Sequence, residues 1–144
     1  MKKLIMAFSL ALISSVLLCQ NGTYRCNSTR FEDKNDPTKN ASRNNPCIVT
    51  IDINDITGGY VLISWPDITL KWDIIKKLDT SIDTENKTAF TYYEARFNLA
   101  NIQANSRSVV IIVQDMKDNS LNIAIHNPSV DNTTWYYKLN KITY

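Results

Sequence analysis

The stretch YVLISWPDITLKWDI, residues 60–74, decides the fold class of this chain. In its second half apolar and polar residues alternate with a period of two, which indicates a strand with one buried face. The apolar positions of this half are Ile68, Leu70, Trp72 and Ile74. The first half, YVLISW, is apolar almost throughout, which predicts a strand covered on both faces. Because Pro66 and Asp67 form a turn signal between the halves, the stretch predicts an antiparallel hairpin of Tyr60–Trp65 with Ile68–Ile75.

Similar patterns recur on both sides of this hairpin. The segments that read as strands are a first one around Thr23–Arg30, then CIVTIDI from Cys47, Tyr93–Leu99, SVVIIVQ from Ser108, Leu121–Ile125 and Trp135–Leu139. A turn signal at Lys117–Ser120 predicts a second hairpin. Only the short stretch Asp73–Leu78 departs toward a helical spacing. About eight short strands predict an all-β domain, either a small antiparallel up-and-down barrel or a β-sandwich. Sequential hairpins favour the barrel.

The N-terminus has the pattern of a secretory signal, with positive residues at Lys2 and Lys3, an apolar run over Leu4–Leu18 and a polar exit. The apolar run is shorter than the roughly 20 residues that a membrane-spanning helix needs. The sequence therefore predicts a signal helix over residues 1–19, a single domain over 20–144 and a periplasmic or secreted protein. Cleavage near Ser15 or around Cys19 are the alternatives. Lipid attachment to Cys19, which would anchor the protein to the cell envelope, is another.

Cys26 and Cys47 bracket a polar segment with one large apolar residue, Phe31. Two cysteines in a small exported domain are more often bridged than free. The sequence therefore predicts a Cys26–Cys47 disulfide that closes a polar loop. The loop lacks the apolar residues needed to pack, and it contains turn chemistry at Asp36-Pro37.

Charge limits the class of partner. The chain has 16 Lys and Arg against 14 Asp and Glu, and loss of Lys2 and Lys3 with the signal leaves the two signs in balance. Nucleic acids and anionic membranes attract basic surfaces, so the sequence predicts neither of them as a partner. Membrane insertion as a barrel is not predicted either, because Lys138 and Asn140 interrupt the alternating apolar residues expected of a closing membrane strand.

Catalytic chemistry has little support in the sequence. The single histidine, His126, lies opposite the apolar face of its strand, where a hydrogen-bonded or solvated role is the commoner one. The acids around Asp79–Glu85 lack the glycine of a calcium loop. The sequence predicts no catalytic residue, no metal site and no cofactor.

Aromatic residues carry the one site prediction. Neighbouring residues of a strand point to opposite faces, so if Tyr93 and Tyr137 face the core, then Tyr92 and Tyr136 face outward. Exposed tyrosine and arginine are favoured at protein interfaces, which makes Tyr92, Tyr136 and nearby Arg96 a candidate binding surface. The alternative is that another element covers them and that they serve stability.

These observations together favour an exported, non-catalytic binding module whose ligand is a protein, in the manner of an inhibitor. In outline, a small exported barrel with one disulfide resembles the bacterial lysozyme inhibitors, although the chain carries none of their motifs. A structural subunit of a surface fibre and a hydrolase are the other function classes.

Overall fold

The computed structural model of the protein describes residues 21–98, 106–128 and 132–142, and these residues are mostly strand. The predicted signal segment, residues 1–19, lies outside the described residues, as does the lipidation site at Cys19. Within the described part, no helix is long and apolar enough to cross a membrane. The strands in chain order are β1 (Gly22–Asp33), β2 (Ala41–Arg43), β3 (Cys47–Asn54), β4 (Gly58–Ser64), β5 (Thr69–Asp83), β6 (Thr88–Asn98), β7 (Arg107–Asp115), β8 (Leu121–Asn127) and β9 (Thr133–Lys141).

Eight of these strands close into an antiparallel barrel. β3 to β9 pair in sequence order, and β1 pairs with both β3 and β9, which joins the two ends of the sheet. β2 is an extra strand that pairs with β1 at Thr29–Phe31. The predicted all-β fold with an up-and-down barrel is therefore confirmed, and the barrel rather than the sandwich is the form that the chain adopts.

The interior is filled by one face of each barrel strand. An eight-stranded barrel is just wide enough for side chains to fill it, and branched aliphatic residues do so here. Fully buried side chains include Val49, Ile51, Val61, Ile63, Val110, Ile112, Ile123 and Ile125. On β4 the outward Leu62 is half-buried. The expectation that YVLISW is covered on both faces is therefore wrong, because the described residues form a single sheet and place no second sheet on the outer wall of the barrel.

The predicted hairpin forms from β4 and β5, with Val61 opposite Trp72 and Ile63 opposite Leu70. The backbone N–H of Trp65 donates to the carbonyl of Ile68 at 2.9 Å and closes the turn. Ile68 itself is 48% exposed, so its expected place on the inner face is wrong: it belongs to the turn rather than to β5.

The stretch Asp73–Leu78 is strand, and its departure from period two has a local cause. The pairing of β5 with β6 shifts register between Ile74 and Lys76 and again between Lys77 and Asp79. Each shift is a β-bulge, which inserts an extra residue and changes which face the following side chains occupy. The bulges therefore explain a spacing that resembled a short helix.

The predicted disulfide is wrong. Cys26 and Cys47 lie directly opposite each other in β1 and β3, and both are buried, but both are free thiols. The Cys26 thiol donates to the Ser28 carbonyl at 3.0 Å. A hydrogen bond between the two thiols, and then burial, raise the pKa of the Cys47 thiol. Strand pairing rather than a covalent bond holds the two residues together.

The segment between the cysteines is also more ordered than the predicted polar loop. β1 continues to Asp33, and the chain then returns as β2 to pair with it. Local polar bonds make the return: the Asp33 carboxylate accepts from the backbone N–H groups of Asn35 and Asp36 at 2.8 and 3.0 Å. Aspartate and asparagine favour such turns because their side chains replace missing backbone partners. The polar composition therefore builds a hairpin at the barrel's edge.

Candidate functional site

A cavity of about 360 Å³ opens at one end of the barrel, where β4, β6 and β8 end and β5, β7 and β9 begin. Its walls are mainly aromatic. The apolar lining residues are Trp65, Leu70, Trp72, Phe97, Trp135 and Tyr137. The three tryptophans are all the tryptophans of the chain. The volume falls near the lower end of the range for small-molecule sites, and an apolar lining with few polar groups is typical of such sites.

The aromatic side chains form two groups around the cavity. Trp72 packs against Phe97 with ring centroids 5.1 Å apart, and Trp65 lies 6.5 Å from Tyr137. Burial raises the pKa of the Tyr137 phenol above its usual value, so it stays neutral. Tilted ring pairs of this kind are energetically favourable. The two contacts therefore stabilise the aromatic wall of the cavity.

Two polar groups in this aromatic wall have no partner. The indole N–H groups of Trp65 and Trp72 are buried and donate to no described residue. An indole N–H can only donate, and leaving such a buried donor unpaired costs about 1–3 kcal/mol. Neither nitrogen touches solvent. A ligand in the cavity therefore reaches these groups only if the indole rings turn toward it.

Polar residues complete the lining: the exposed Arg43 and Asn45 and the half-buried Ser106 and Asn127 form the rim, and the buried Thr29 lies below it. Arg43 is the one charged residue among the described residues that line the cavity. The hydroxyl of Ser108, just below the rim, donates to the Asn127 amide oxygen at 2.5 Å. This bond leaves the amide NH₂ group as the donor of the Asn127 side chain. The described lining therefore offers several donors and contains no carboxylate.

The extra strand β2 positions Arg43 at this rim. Arg43 lies opposite Thr29 on β1, and Thr29 lies opposite Tyr137 on β9. Residues directly opposite each other in a sheet share a face, so this row puts Arg43 on the inward side. Two strand spacings, about 10 Å, separate its backbone from that of Tyr137. The segment that sequence reasoning treated as a loop thus supplies the rim's charge.

The predicted binding residues lie elsewhere, on the outer wall. Tyr92 lies opposite Ile111, Ile111 opposite Ala124, and Ala124 opposite Tyr136, so the two tyrosines share one outward row about 14 Å long. Both are half-buried. The predicted placement of the tyrosines outside and of Tyr93 and Tyr137 inside therefore agrees with the structure, whereas a binding role stays a prediction.

The arginine next to Tyr136 is not the predicted one. Arg96 is exposed on β6, four residues along the chain from Tyr92. It is Arg30 that stacks on the Tyr136 ring, at 4.7 Å from the ring centroid. The Tyr136 hydroxyl donates to Glu32 at 2.9 Å, and burial and that carboxylate raise its pKa. Sequence reasoning missed Arg30 because cross-strand neighbours cannot be read from chain distance.

His126 has a structural environment. Its Nδ1 lies 3.1 Å from the Thr133 carbonyl and 3.0 Å from the Thr134 hydroxyl, contacts that join β8 to β9. Within the described residues, no group of three or more His, Cys, Asp or Glu side chains is placed to hold a metal ion.

Comparison of the chain with protein-family models, with curated proteins and with solved structures gives no match, so the interpretation of the cavity rests on its own geometry.

Proposed function

We propose that this protein is an exported, non-catalytic binding module that holds a small, ring-bearing molecule in the cavity at the end of its barrel. One observation carries the proposal: all three tryptophans, with Phe97 and Tyr137, surround a single space of about 360 Å³. Export rests on the signal pattern of residues 1–19.

The filled part of the barrel supports this interpretation by contrast. Below the cavity, aliphatic residues such as Ile51, Ile112 and Ile123 are almost completely buried. A barrel whose only requirement is stability gains from the same close packing along its whole length, since each unfilled space costs free energy. Large planar side chains around a space instead suit a ligand whose rings stack between them.

Binding of the neutral fluorophore N-phenylnaphthylamine to the purified full-length protein tests the proposal. The tryptophans line the cavity, so a bound probe is expected to quench their fluorescence and to emit by energy transfer, saturating at one probe per chain. Ser106→Phe, at the rim, should weaken binding at least about tenfold by filling the entrance. Ser120→Phe, in the β7–β8 turn at the far end of the barrel, is the matched control and should leave binding unchanged. Absence of saturable binding, or equal loss in both variants, would refute the proposal.

The outer wall supports a second candidate function, binding of a protein ligand. The observation that favours it is the outward row of side chains that contains Tyr92, Ile111, Ala124 and Tyr136. A shallow groove of about 500 Å³ lies beside Tyr136 and is also lined by Arg30, Val113 and Lys138. Tyrosine and arginine dominate binding energy when a partner covers them. A charge-reversing Arg30→Glu exchange should then abolish capture of that partner while leaving N-phenylnaphthylamine binding intact.

A further inference from the structure

We propose that the ligand of the cavity is a small organic anion, with a ring-bearing apolar body and an acidic group held at Arg43. This inference rests on the proposed function and names the chemical class of its ligand. It follows from the polar groups that surround the cavity, which include one cation and two unpaired indole donors but no carboxylate among the described residues.

Charge is the first argument. Arg43 lines the cavity, and no described carboxylate forms an ion pair with it. Some cations of the barrel have such partners, as Arg107 with Glu94 at 2.8 Å and Lys77 with Asp55 at 2.9 Å, whereas Arg43 is exposed and has none among the described residues. A guanidinium binds carboxylate, sulfonate or phosphate oxygens through two parallel N–H bonds. Arg43 is therefore available to an acid that enters the cavity.

The unpaired donors are the second argument. Trp65 and Trp72 line the same cavity, and their buried indole N–H groups lack acceptors among the described residues. Trp72 is only 5% exposed, so bulk water does not supply the missing acceptor. A ligand that carries several acceptor oxygens can satisfy these donors once the indole rings turn toward it, whereas a hydrocarbon cannot. Acidic oxygens on one ligand would thus pair with the Arg43 cation and accept from the indole groups.

Spacing is the third argument. Arg43 and Tyr137 lie in one inward-facing row, with Thr29 between them. The backbones of the two outer members are about 10 Å apart, two strand spacings. An acid on a one- or two-ring body spans that distance, with its rings beside Tyr137 and Trp65 and its acidic group at the rim. A ligand without an acidic group leaves Arg43 unused.

Two matched probes separate this inference from the proposed function. Anilinonaphthalene sulfonate and N-phenylnaphthylamine share the same ring body and differ in the sulfonate. The purified full-length protein should bind the sulfonate about fivefold more tightly than the neutral probe at low salt. Raising the ionic strength to about 0.5 M should reduce this preference, because salt screens a partly exposed ion pair.

Variants assign the preference to a residue. Arg43→Gln should weaken sulfonate binding about fivefold and change binding of the neutral probe less than about twofold, and Arg43→Lys should retain part of the preference. Lys117→Gln removes one positive charge from the turn at the far end of the barrel and should change neither affinity. Melting temperatures of all variants check that they are folded.

The outcomes distinguish the two proposals. If neither probe binds, the proposed function fails, and this inference fails with it. If the neutral probe binds in the cavity as tightly as the sulfonate, the proposed function stands and the inference of an anionic ligand is refuted. Equal loss of sulfonate binding in Arg43→Gln and Lys117→Gln would also refute it, because the effect would then come from net charge rather than from the rim.

Discussion

Replacing Gly59 with alanine tests the close approach of β3 and β4 on which the closed barrel depends. Gly59 has φ +139°, a conformation that residues with a side chain rarely adopt. A Cβ atom there would lie 2.1 Å from the Asp52 carbonyl oxygen and 2.9 Å from the Ile53 Cα. Both are backbone atoms, which cannot rotate away as a side chain would. The two strands would have to separate.

The size of the effect follows from these contacts. An unfavourable backbone conformation costs about 1–3 kcal/mol, and the forced shift of a packed strand about 1–3 kcal/mol more. The reduced entropy of the unfolded chain returns about 0.4–1 kcal/mol. Gly59→Ala should therefore lose about 2–5 kcal/mol of unfolding free energy. At about 4 °C per kcal/mol, the melting temperature falls by about 8–20 °C.

Gly22→Ala is the matched control. Gly22 also has a positive φ, +150°, but a Cβ there meets only atoms of the Tyr24 ring at 3.5–3.6 Å, an ordinary contact. It should therefore show the backbone cost without the collision and lose only about 1–2 kcal/mol. Thermal unfolding followed by circular dichroism, with urea unfolding as a second measure, compares the variants. If Gly59→Ala is no less stable than Gly22→Ala, the reasoning about β3 and β4 is refuted.

Three further predictions concern the outer wall, the buried phenols and the N-terminus. Because Tyr136 is half-buried, Tyr136→Ala should lower the free energy of unfolding in urea by about 1–2 kcal/mol, less than the roughly 3–5 kcal/mol expected for a fully buried aromatic residue. A loss at the upper value would show that another element covers Tyr136. Burial raises the pKa of both Tyr93 and Tyr137, so the folded state holds these protons more tightly than the unfolded state, whose phenols titrate near pH 10. Their contribution to stability is complete below about pH 10 and is lost as the pH rises further; the urea midpoint should fall there, less steeply in Tyr137→Phe, and a midpoint independent of pH above 10 would contradict this. Mass spectrometry of the exported protein should show a chain that begins at Gln20; an acyl chain on Cys19 would establish the lipid-anchored alternative, and a mass that includes residues 1–19 would refute the signal.

The strands were predictable because a period of two is imposed by the pleat and by one buried face. Trp72 and Ile74 alternate with Lys71 and Asp73, and the structure buries the first two and leaves the others half-buried. Where the pleat is interrupted, the same logic fails. The bulges near Lys76 and Leu78 move side chains to the other face without any signal in composition.

The prediction for the segment between Cys26 and Cys47 was wrong for another reason. Its residues are polar because they lie on a hairpin at the edge of the barrel, where most side chains are exposed, and not because they lack regular structure. The cysteines face each other because β1 and β3 pair in that register. Composition and compartment predicted a bond, but they say nothing about where each thiol points.

The cavity was beyond sequence reasoning because it depends on which strand ends meet. Trp65, Phe97 and Trp135 lie far apart in the chain, and only the closure of β1 onto β9 brings their strands around one space. Phe97 and Trp135 alternate in phase with Tyr93 and Tyr137, but alternation cannot distinguish a filled core from a lined opening. The distinction depends on how completely the side chains of several strands fill the barrel at that end.

Strand β9 links the two candidate surfaces. Along Trp135, Tyr136 and Tyr137 the pleat sends the first and third side chains into the cavity and the second to the outer wall. A ligand between the tryptophans and a protein on the outer row would therefore contact neighbouring side chains of this three-residue segment, from opposite faces of the sheet. Because this segment pairs with β1 on one side and with β8 on the other, it cannot shift toward either ligand without breaking those hydrogen bonds. The two sites should thus bind independently. The affinity of Tyr136→Ala for N-phenylnaphthylamine tests this. An unchanged affinity would show that the cavity is intact without the Tyr136 ring, and a loss of affinity would show that Tyr136 supports the cavity wall.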